Sequence, residues 1–230
     1  MLDEAGIDYN VVVEPQDLVV YRQRYGDKAI VLPANDRGNF YVRRYIHHLA
    51  RKDGHHYHWQ MDDDVRRFVY RSPVTKQTTV PVGKALRAIE QETLRFKNIG
   101  MSGTNQNSWP PSKHASKFNS FPVQCMLIRN DVKARYRCTG GNLVDLDFVL
   151  QVLTEGLCTI MFDHLRVDTP PIGTNQGGCY TMYRDQSKMI AAAEQMVEWY
   201  PTLSYVEDEK GVHLRRNRIW SQFTQQPIRA

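Results

Sequence analysis

Short, continuous runs of apolar residues near the start of the chain constrain its fold more than any other feature. Residues 9–13 (YNVVV) stop at Glu14-Pro15, and residues 29–32 (AIVL) stop at Pro33. Runs of this kind are typical of strands that are buried on both faces of a largely parallel sheet. Helical patterns alternate with them, so the sequence predicts an α/β protein.

Length and composition favour one folded domain over residues 1–230, because 41% hydrophobic residues suffice for one sizeable core. No stretch approaches about 18 uninterrupted apolar residues, and residues 1–10 lack a signal-peptide pattern. We therefore expect a cytoplasmic protein without a membrane segment. The four cysteines form no CxxC pair and are expected to be reduced thiols. A net charge of +5 favours polyanionic partners slightly.

An acidic run after an aromatic strand is the sharpest candidate for chemistry. Residues 42–49 have apolar positions at i, i+3, i+4 and i+7, which predict an amphipathic helix. Residues 56–61 (HYHWQM) then alternate as a strand and lead directly into residues 62–64 (DDD). Open α/β sheets bind ligands at such strand ends. Two interpretations stay open: carboxylates that hold Mn²⁺ or Mg²⁺ beside phosphate oxygens, or an acidic turn that caps a helix.

Two other groups of charged residues have both a structural and a functional interpretation. Arg43 and Arg44 lie in the helix that follows the turn at Asn35, and they suit either phosphate binding or a solvated helix face. Asp145 and Asp147 begin a later predicted helix, where they serve either as caps or as a general base.

The rest of the pattern places further elements less sharply. It predicts helices over 83–96, 145–155 and 186–199, a strand over 123–128, two short strands within 203–223, and loops over 100–120 and 169–178. Residues 113–137 mix basic and aromatic side chains. This mixture is typical either of a nucleic-acid groove or of a solvated basic face.

The order of these features resembles the TET-associated glycosyltransferases, a family of glycosyltransferase A fold known from phages and from a few eukaryotic proteins. The segments that carry the resemblance are YNVVVEP, AIVLPANDRGNFYVRRYI, HHYHWQMDDDVRRF, GGNLVDLDFVLQVL and TPPIGTNQGG. It covers about residues 8–225 and is most specific over 31–68. The resemblance implies a mostly parallel, Rossmann-like sheet flanked by helices. Because the chain opens at a short helical segment, residues 2–6, we expect this sheet to lack the family's first strand.

The resemblance also implies roles for individual residues, since the DDD run is similar to the DxD motif of nucleotide-sugar enzymes. Asp62 and Asp64 become the expected ligands of Mn²⁺ or Mg²⁺, with His213 as a further one. Asp145 becomes the expected catalytic base, with Asp147 beside it. The expected donor-binding residues are Glu14, Asn35, Arg43, Asp62 and Asp63.

The activity implied by the resemblance is a metal-dependent hexosyl transfer from a nucleotide sugar, expected to be a UDP-sugar, to the hydroxymethyl group of 5-hydroxymethylcytosine in DNA. The partners are then DNA and the donor, with no obligate protein partner, and a phage-encoded enzyme would work in the host cytoplasm. Residues 113–137 and 169–178 would contact DNA. The alternatives are an enzyme of the same fold with a protein or small-molecule acceptor, a catalytically silent DNA-binding module, and a metal-dependent nuclease.

Overall fold

The structure is a computed structural model that describes residues 1–137, 143–170, 185–209, 211–215 and 217–230. The loop predicted over 169–178 lies outside the described residues beyond Pro170, as do Cys179 and residues 138–142 ahead of α4 (Val144–Thr154), which include Cys138. Cys125 and Cys158 are buried free thiols, as expected. Within the described part of the chain, no helix has the length and apolar character needed to cross a membrane.

Strands and helices alternate through the first two thirds, which confirms the mixed α/β class. The strands are β1 (Val11–Val13), β2 (Ala29–Val31), β3 (Tyr57–Met61), β4 (Arg67–Tyr70), β5 (Thr78–Val80), β6 (Ile99–Gln106), β7 (Ser116–Phe118), β8 (Cys125–Arg129), β9 (Cys158–Asp168), β10 (Ser204–Asp208) and β11 (Gly211–Arg215). The helices are α1 (Leu18–Tyr25), α2 (Asn39–Lys52), α3 (Val82–Leu94), α4, α5 (Gln186–Trp199) and α6 (Asn217–Trp220).

The main sheet is mixed, which corrects the expectation of a mostly parallel one. Its order is β3-β8-β6-β9-β4-β5, and β7 pairs with β9. Among the described strands of this sheet only β6 and β9 pair in parallel, and the chain between them passes through β7, β8 and α4. Parallel neighbours need a long connection, whereas β4 and β5 are joined by a short turn and pair as a hairpin.

Two helices cover opposite faces of the main sheet. Met126 of β8 packs in one cluster with Phe148 of α4, and its neighbour Cys125 packs in another with Ala85 of α3. Successive strand residues point to opposite faces, so α3 and α4 lie on different sides. The core therefore has three layers, with the sheet in the middle.

Strands β1 and β2 form a separate parallel pair joined through α1. This unit is thinly packed, because α1 has no buried residue and Val19 and Val20 are 70% and 67% exposed. The β10–β11 hairpin confirms the two short strands predicted near the end of the chain.

The predicted loop over residues 100–120 is wrong in part, because it contains β6 and β7. Every residue of β6 is buried although its sequence, IGMSGTNQ, is rich in small and polar residues. Its polar groups are satisfied inside the protein: Ser102 shares a hydrogen bond with Thr93 of α3, and Asn105 donates to Asp163. Polar residues with such partners are compatible with a buried strand.

We expect Gly103→Ala to lower the free energy of unfolding by about 3 kcal/mol, because overpacking in a close-packed sheet forces backbone shifts. An added Cβ would lie 2.4 Å from the carbonyl oxygen of Cys125 in the neighbouring strand. Urea denaturation measures this change. Gly83→Ala is the matched control: its Cβ meets only the Arg87 side chain, no closer than 3.4 Å, and helix propensity predicts a gain of about 0.5 kcal/mol. Equal effects of the two substitutions would contradict this account.

Candidate functional site

The acidic run lies at the carboxyl end of β3, as the sequence predicts. The Asp62 amide donates to the carbonyl of Gln124, which precedes β8 and so holds the acidic run against the next strand (2.8 Å). Asp62 is partly buried, with 32% of its side chain exposed, whereas Asp63 is exposed. Asp62 is therefore fixed to the sheet, and Asp63 and Asp64 form the turn that follows β3.

A buried arginine joins this strand end to two helices. Arg43 of α2 donates from Nη2 to Asp62 Oδ1 at 2.6 Å. The same Nη2 donates to Asp145 Oδ2 at 3.3 Å, and Arg43 Nε lies 3.2 Å from Asp145 Oδ1. Only 4% of the Arg43 side chain is exposed. Three residues that the sequence predicts separately thus form one cluster.

The face of α2 that packs on β3 explains why an arginine is buried there. Arg43 and His47, four residues apart, are the buried residues of this helix. Gln60 of β3 donates to the Arg43 carbonyl at 3.3 Å, and the buried Tyr136 hydroxyl donates to Gln60 Oε1 at 3.4 Å. Sequence patterns gave no signal for Gln60, because a polar residue in an alternating strand is expected to face solvent.

The electrostatics of the cluster follow from this burial. Burial raises the pKa of Asp62 to about 6, against the lowering effect of Arg43 and with help from Asp145, Asp64 and Asp63. Burial also opposes the charge of Arg43, but Asp145 and Asp62 outweigh it and raise the Arg43 pKa above its usual value. The cluster therefore keeps a permanent cation, and Asp62 changes charge near neutral pH.

Helix α1 approaches the exposed part of the acidic run. Burial raises the pKa of Tyr21, and the nearby Asp63 carboxylate raises it further. Tyr21 was not among the predicted site residues. The Tyr21 phenol is therefore close enough to Asp63 for the two groups to interact electrostatically.

Asp147 occupies a different environment from Asp145, although both lie in the first turn of α4. Its fully buried carboxylate pairs with Arg137 and accepts hydrogen bonds from Tyr200 (2.8 Å) and Gln151 (2.9 Å). The Arg137 guanidinium also stacks over the Trp199 ring at 3.8 Å. This arrangement anchors α4, and with it the position of Asp145.

Glu14 follows β1 and Asn35 follows β2, and the side chain of each accepts a hydrogen bond from the backbone of the other's loop. Glu14 Oε1 accepts from the Asp36 amide, and Asn35 Oδ1 accepts from the Gln16 amide, both at 3.0 Å. Both residues lie at the carboxyl end of the small parallel pair. The five predicted donor-binding residues thus fall in two groups: Glu14 with Asn35, and Arg43 with Asp62 and the adjacent Asp63.

His213 lies on the β10–β11 hairpin, where its Nε2 is 3.2 Å from Asp208 Oδ1. No contact in the described part of the chain joins it to the acidic run. Among the described residues, no group of three or more His, Cys, Asp and Glu side chains is arranged to hold a metal ion. The metal role of His213 stays a prediction.

The basic stretch 113–137 does not form one continuous surface. Tyr136 is buried, Arg137 pairs with Asp147, and Arg129 pairs with Asp131. Arg129 lines a groove of about 660 Å³ with Lys97 at the opposite end of the sheet from the acidic run. This groove is therefore separate from the Arg43 cluster.

Comparison with known proteins assigns the class. A family model described as TET-Associated Glycosyltransferase matches residues 1–178, which is more than half of the chain. The chain belongs to this family, whose name implies a glycosyltransferase. No curated protein and no solved structure matches it.

We expect Arg43→Met to lower the free energy of unfolding by about 3 kcal/mol, because it leaves Asp62 and Asp145 without their shared cation. Adding Asp62→Asn to this variant removes one of the two carboxylates and should recover part of the loss. Urea denaturation of both variants at pH 8 measures the difference. A double variant no more stable than Arg43→Met would show that charge compensation is not the role of Arg43.

His47 gives the region a second pH-dependent group. It lies among the rings of His58, Tyr136 and Phe148, at centroid distances of 5.3, 6.4 and 5.8 Å. Both of its ring nitrogens are buried without a hydrogen-bond partner among the described residues. Burial therefore lowers the pKa of His47 to about 4.

We expect His47→Phe to be relatively more stable in acid. In the wild type the unfolded chain takes up a proton near pH 6.5 and the folded chain only near pH 4, so stability falls as the pH falls through this interval. The free energy of unfolding of His47→Phe minus that of the wild type should increase by about 2 kcal/mol from pH 8 to pH 5. Urea denaturation at the two pH values tests this, and a difference independent of pH would contradict it.

Proposed function

We propose that this protein transfers a sugar from a nucleotide-sugar donor to the hydroxymethyl group of 5-hydroxymethylcytosine in DNA. The observation that carries the proposal is the contact of Arg43 with both Asp62 and Asp145. Through this contact the end of β3 lies next to the start of α4. The first suits the diphosphate of the sugar donor, and the second suits a catalytic base. Family membership supports the reaction class. The resemblance of the sequence motifs to this family implies DNA as the acceptor.

Asp145 is the proposed general base. The acceptor hydroxyl oxygen forms a bond to the anomeric carbon of the sugar, the bond from that carbon to the diphosphate oxygen breaks, and the hydroxyl proton passes to the Asp145 carboxylate. Its side chain is 18% exposed, so substrate has access to it. Asp147 is fully buried in its pair with Arg137, and we assign it a positioning role in the same helix.

Arg43 is the proposed electrostatic partner of the leaving diphosphate. Its guanidinium is buried and fixed by two carboxylates, so it needs little reorganisation when negative charge develops beside it. Glu14 and Asn35, at the ends of β1 and β2, are proposed to contact the nucleoside part of the donor. Asp63, which is exposed and follows Asp62, is proposed to contact the donor as well.

The carboxylates of the acidic run have the chemistry that a divalent cation requires. Mg²⁺ and Mn²⁺ prefer oxygen ligands and are commonly bound by one or two carboxylates together with substrate phosphates. Asp62 and Asp64 would hold the ion, and when bound it would supply positive charge to the diphosphate. One oxygen of Asp62, Oδ1, already accepts a hydrogen bond from Arg43. Because the pKa of Asp62 is about 6, its carboxylate is protonated in acid, and cation binding becomes weaker there.

The test is mass spectrometry of nucleosides from hydroxymethylcytosine-containing DNA after incubation with the protein, Mn²⁺ and a panel of UDP-sugars. We expect a gain of a hexose or N-acetylhexosamine on that nucleoside. Asp64→Asn should reduce kcat about a hundredfold, because it would weaken binding of the divalent cation that offsets negative charge on the leaving diphosphate. Asp53→Asn, an exposed carboxylate at the end of α2, is the matched control and should behave as the wild type.

Three outcomes would count against the proposal. Donor hydrolysis without a gain on DNA would keep a glycosyltransferase and move the acceptor to a protein or small molecule. Neither transfer nor hydrolysis would favour a silent DNA-binding module. Full activity of a folded Asp64→Asn variant would remove the assigned role of the acidic run.

A further inference from the structure

Trp109 is an exposed aromatic residue near the proposed transfer site, and no step described above uses it. Its side chain follows β6 and is 40% exposed. Only β8 separates β6 from β3, so the ends of β6 and β3 lie about 10 Å apart. Gln106 and Gln124 both donate to Thr169 Oγ1, at 3.2 and 3.1 Å. These bonds link the end of β6 to Gln124, whose carbonyl accepts a hydrogen bond from the Asp62 amide.

A buried arginine fixes the loop that carries Trp109. Arg166 is fully buried, and its guanidinium donates to the carbonyls of Gln106 (2.8 Å), Trp109 and Pro110 (3.3 Å). Asp163 pairs with Arg166 at 2.9 Å and accepts from the Ser112 amide at 2.6 Å. A buried ion pair is costly unless its groups are satisfied, and here the loop backbone satisfies them. The loop is therefore held through its backbone, independently of the indole.

One cationic side chain contacts this loop, and two more cationic residues lie in it or on elements bonded to it. Arg71 donates to the Asn107 carbonyl at 3.0 Å, and Lys113, four residues after Trp109, is exposed. Arg66, ahead of β4, is exposed, and its amide donates to the carbonyl of Asp168 at the end of β9 (2.9 Å). Proteins that bind single-stranded nucleic acid combine cations for the phosphates with an aromatic face for the bases.

We propose that Trp109 is a stacking platform for a nucleobase of the acceptor DNA strand. A cytosine inside a duplex is buried in the base stack, so an enzyme that modifies it must open the stack or use single-stranded DNA. An indole on a fixed loop at the same end of the sheet as the acidic run replaces part of the lost stacking. This inference rests on the proposed function, because it takes DNA as the acceptor.

The experiment compares the wild type with Trp109→Ala, Trp109→Phe and Leu94→Ala. Leu94 is an exposed apolar residue (57%) at the end of α3, next to the groove at the opposite end of the sheet, and serves as the control. Binding is measured by fluorescence anisotropy with a fluorescein-labelled single-stranded oligonucleotide that contains 5-hydroxymethylcytosine. Transfer is measured on the same oligonucleotide and on free 5-hydroxymethyl-2′-deoxycytidine, and donor hydrolysis without an acceptor.

Trp109→Ala should raise Kd and KM for the oligonucleotide about tenfold, because one base loses its stacking partner. Trp109→Phe should restore most of this affinity, since phenylalanine keeps an aromatic face. The rate of donor hydrolysis and the KM of the free nucleoside should stay at wild-type values in both variants. Leu94→Ala should match the wild type in every assay.

Unchanged Kd in Trp109→Ala would overturn the inference, and so would a parallel loss of donor hydrolysis, which indicates a disturbed site. If the wild type transfers sugar to the oligonucleotide but Trp109→Ala does so equally well, only the role of Trp109 fails. If the wild type binds the oligonucleotide without transfer, the proposed function fails and Kd decides the role of Trp109. If the wild type does not bind it, the role of Trp109 fails, and the nucleoside mass spectrometry on hydroxymethylcytosine-containing DNA decides the proposed function separately.

Discussion

The buried guanidinium of Arg43 is the interaction on which the site depends. It neutralises one carboxylate at the end of β3 and one from α4, while Gln60 of β3 binds its backbone carbonyl and Tyr136 binds Gln60. One arginine between two carboxylates leaves the group with an excess of negative charge, which Asp63 and Asp64 increase. The surroundings thus favour a positively charged or metal-bound ligand at the strand end, while the arginine keeps the two carboxylates from repelling each other.

Sequence reasoning found the members of this cluster but not their contact. Asp62 was predicted from a strand that runs into an acidic turn, and Asp145 from the start of a helix; both signals are local. The contact of Asp145 with Arg43 spans 102 residues, and no local pattern encodes it. Asp147 was grouped with Asp145, yet residues two apart on a helix face nearly opposite directions. One therefore meets Arg43 and the other Arg137.

The sequence predicted the helices and strands whose buried positions are apolar. The helix α2 and the strand β3 have clear periodicity and β2 is a continuous apolar run, and the structure places all three close to the predicted positions. Strand β6 was missed because Ser102, Thr104 and Asn105 are polar, and only their partners on other elements make burial favourable. The parallel or antiparallel direction of the strands could not be predicted either. An apolar run indicates that a strand is buried, but it does not indicate which strand lies beside it or in which direction that strand runs.

The thin packing of the β1–α1–β2 unit has a consequence for how the protein opens. Local stability follows buried apolar contacts, and in this unit only Val13 and Ala29 are buried hydrophobic residues of the strands, whereas the main sheet lies between two helices. Amide hydrogens of β1 and β2 should therefore exchange with solvent through sub-global opening, long before those of β6 and β8. Glu14 and Asn35 belong to the unit that opens, so a ligand held by them would slow this exchange.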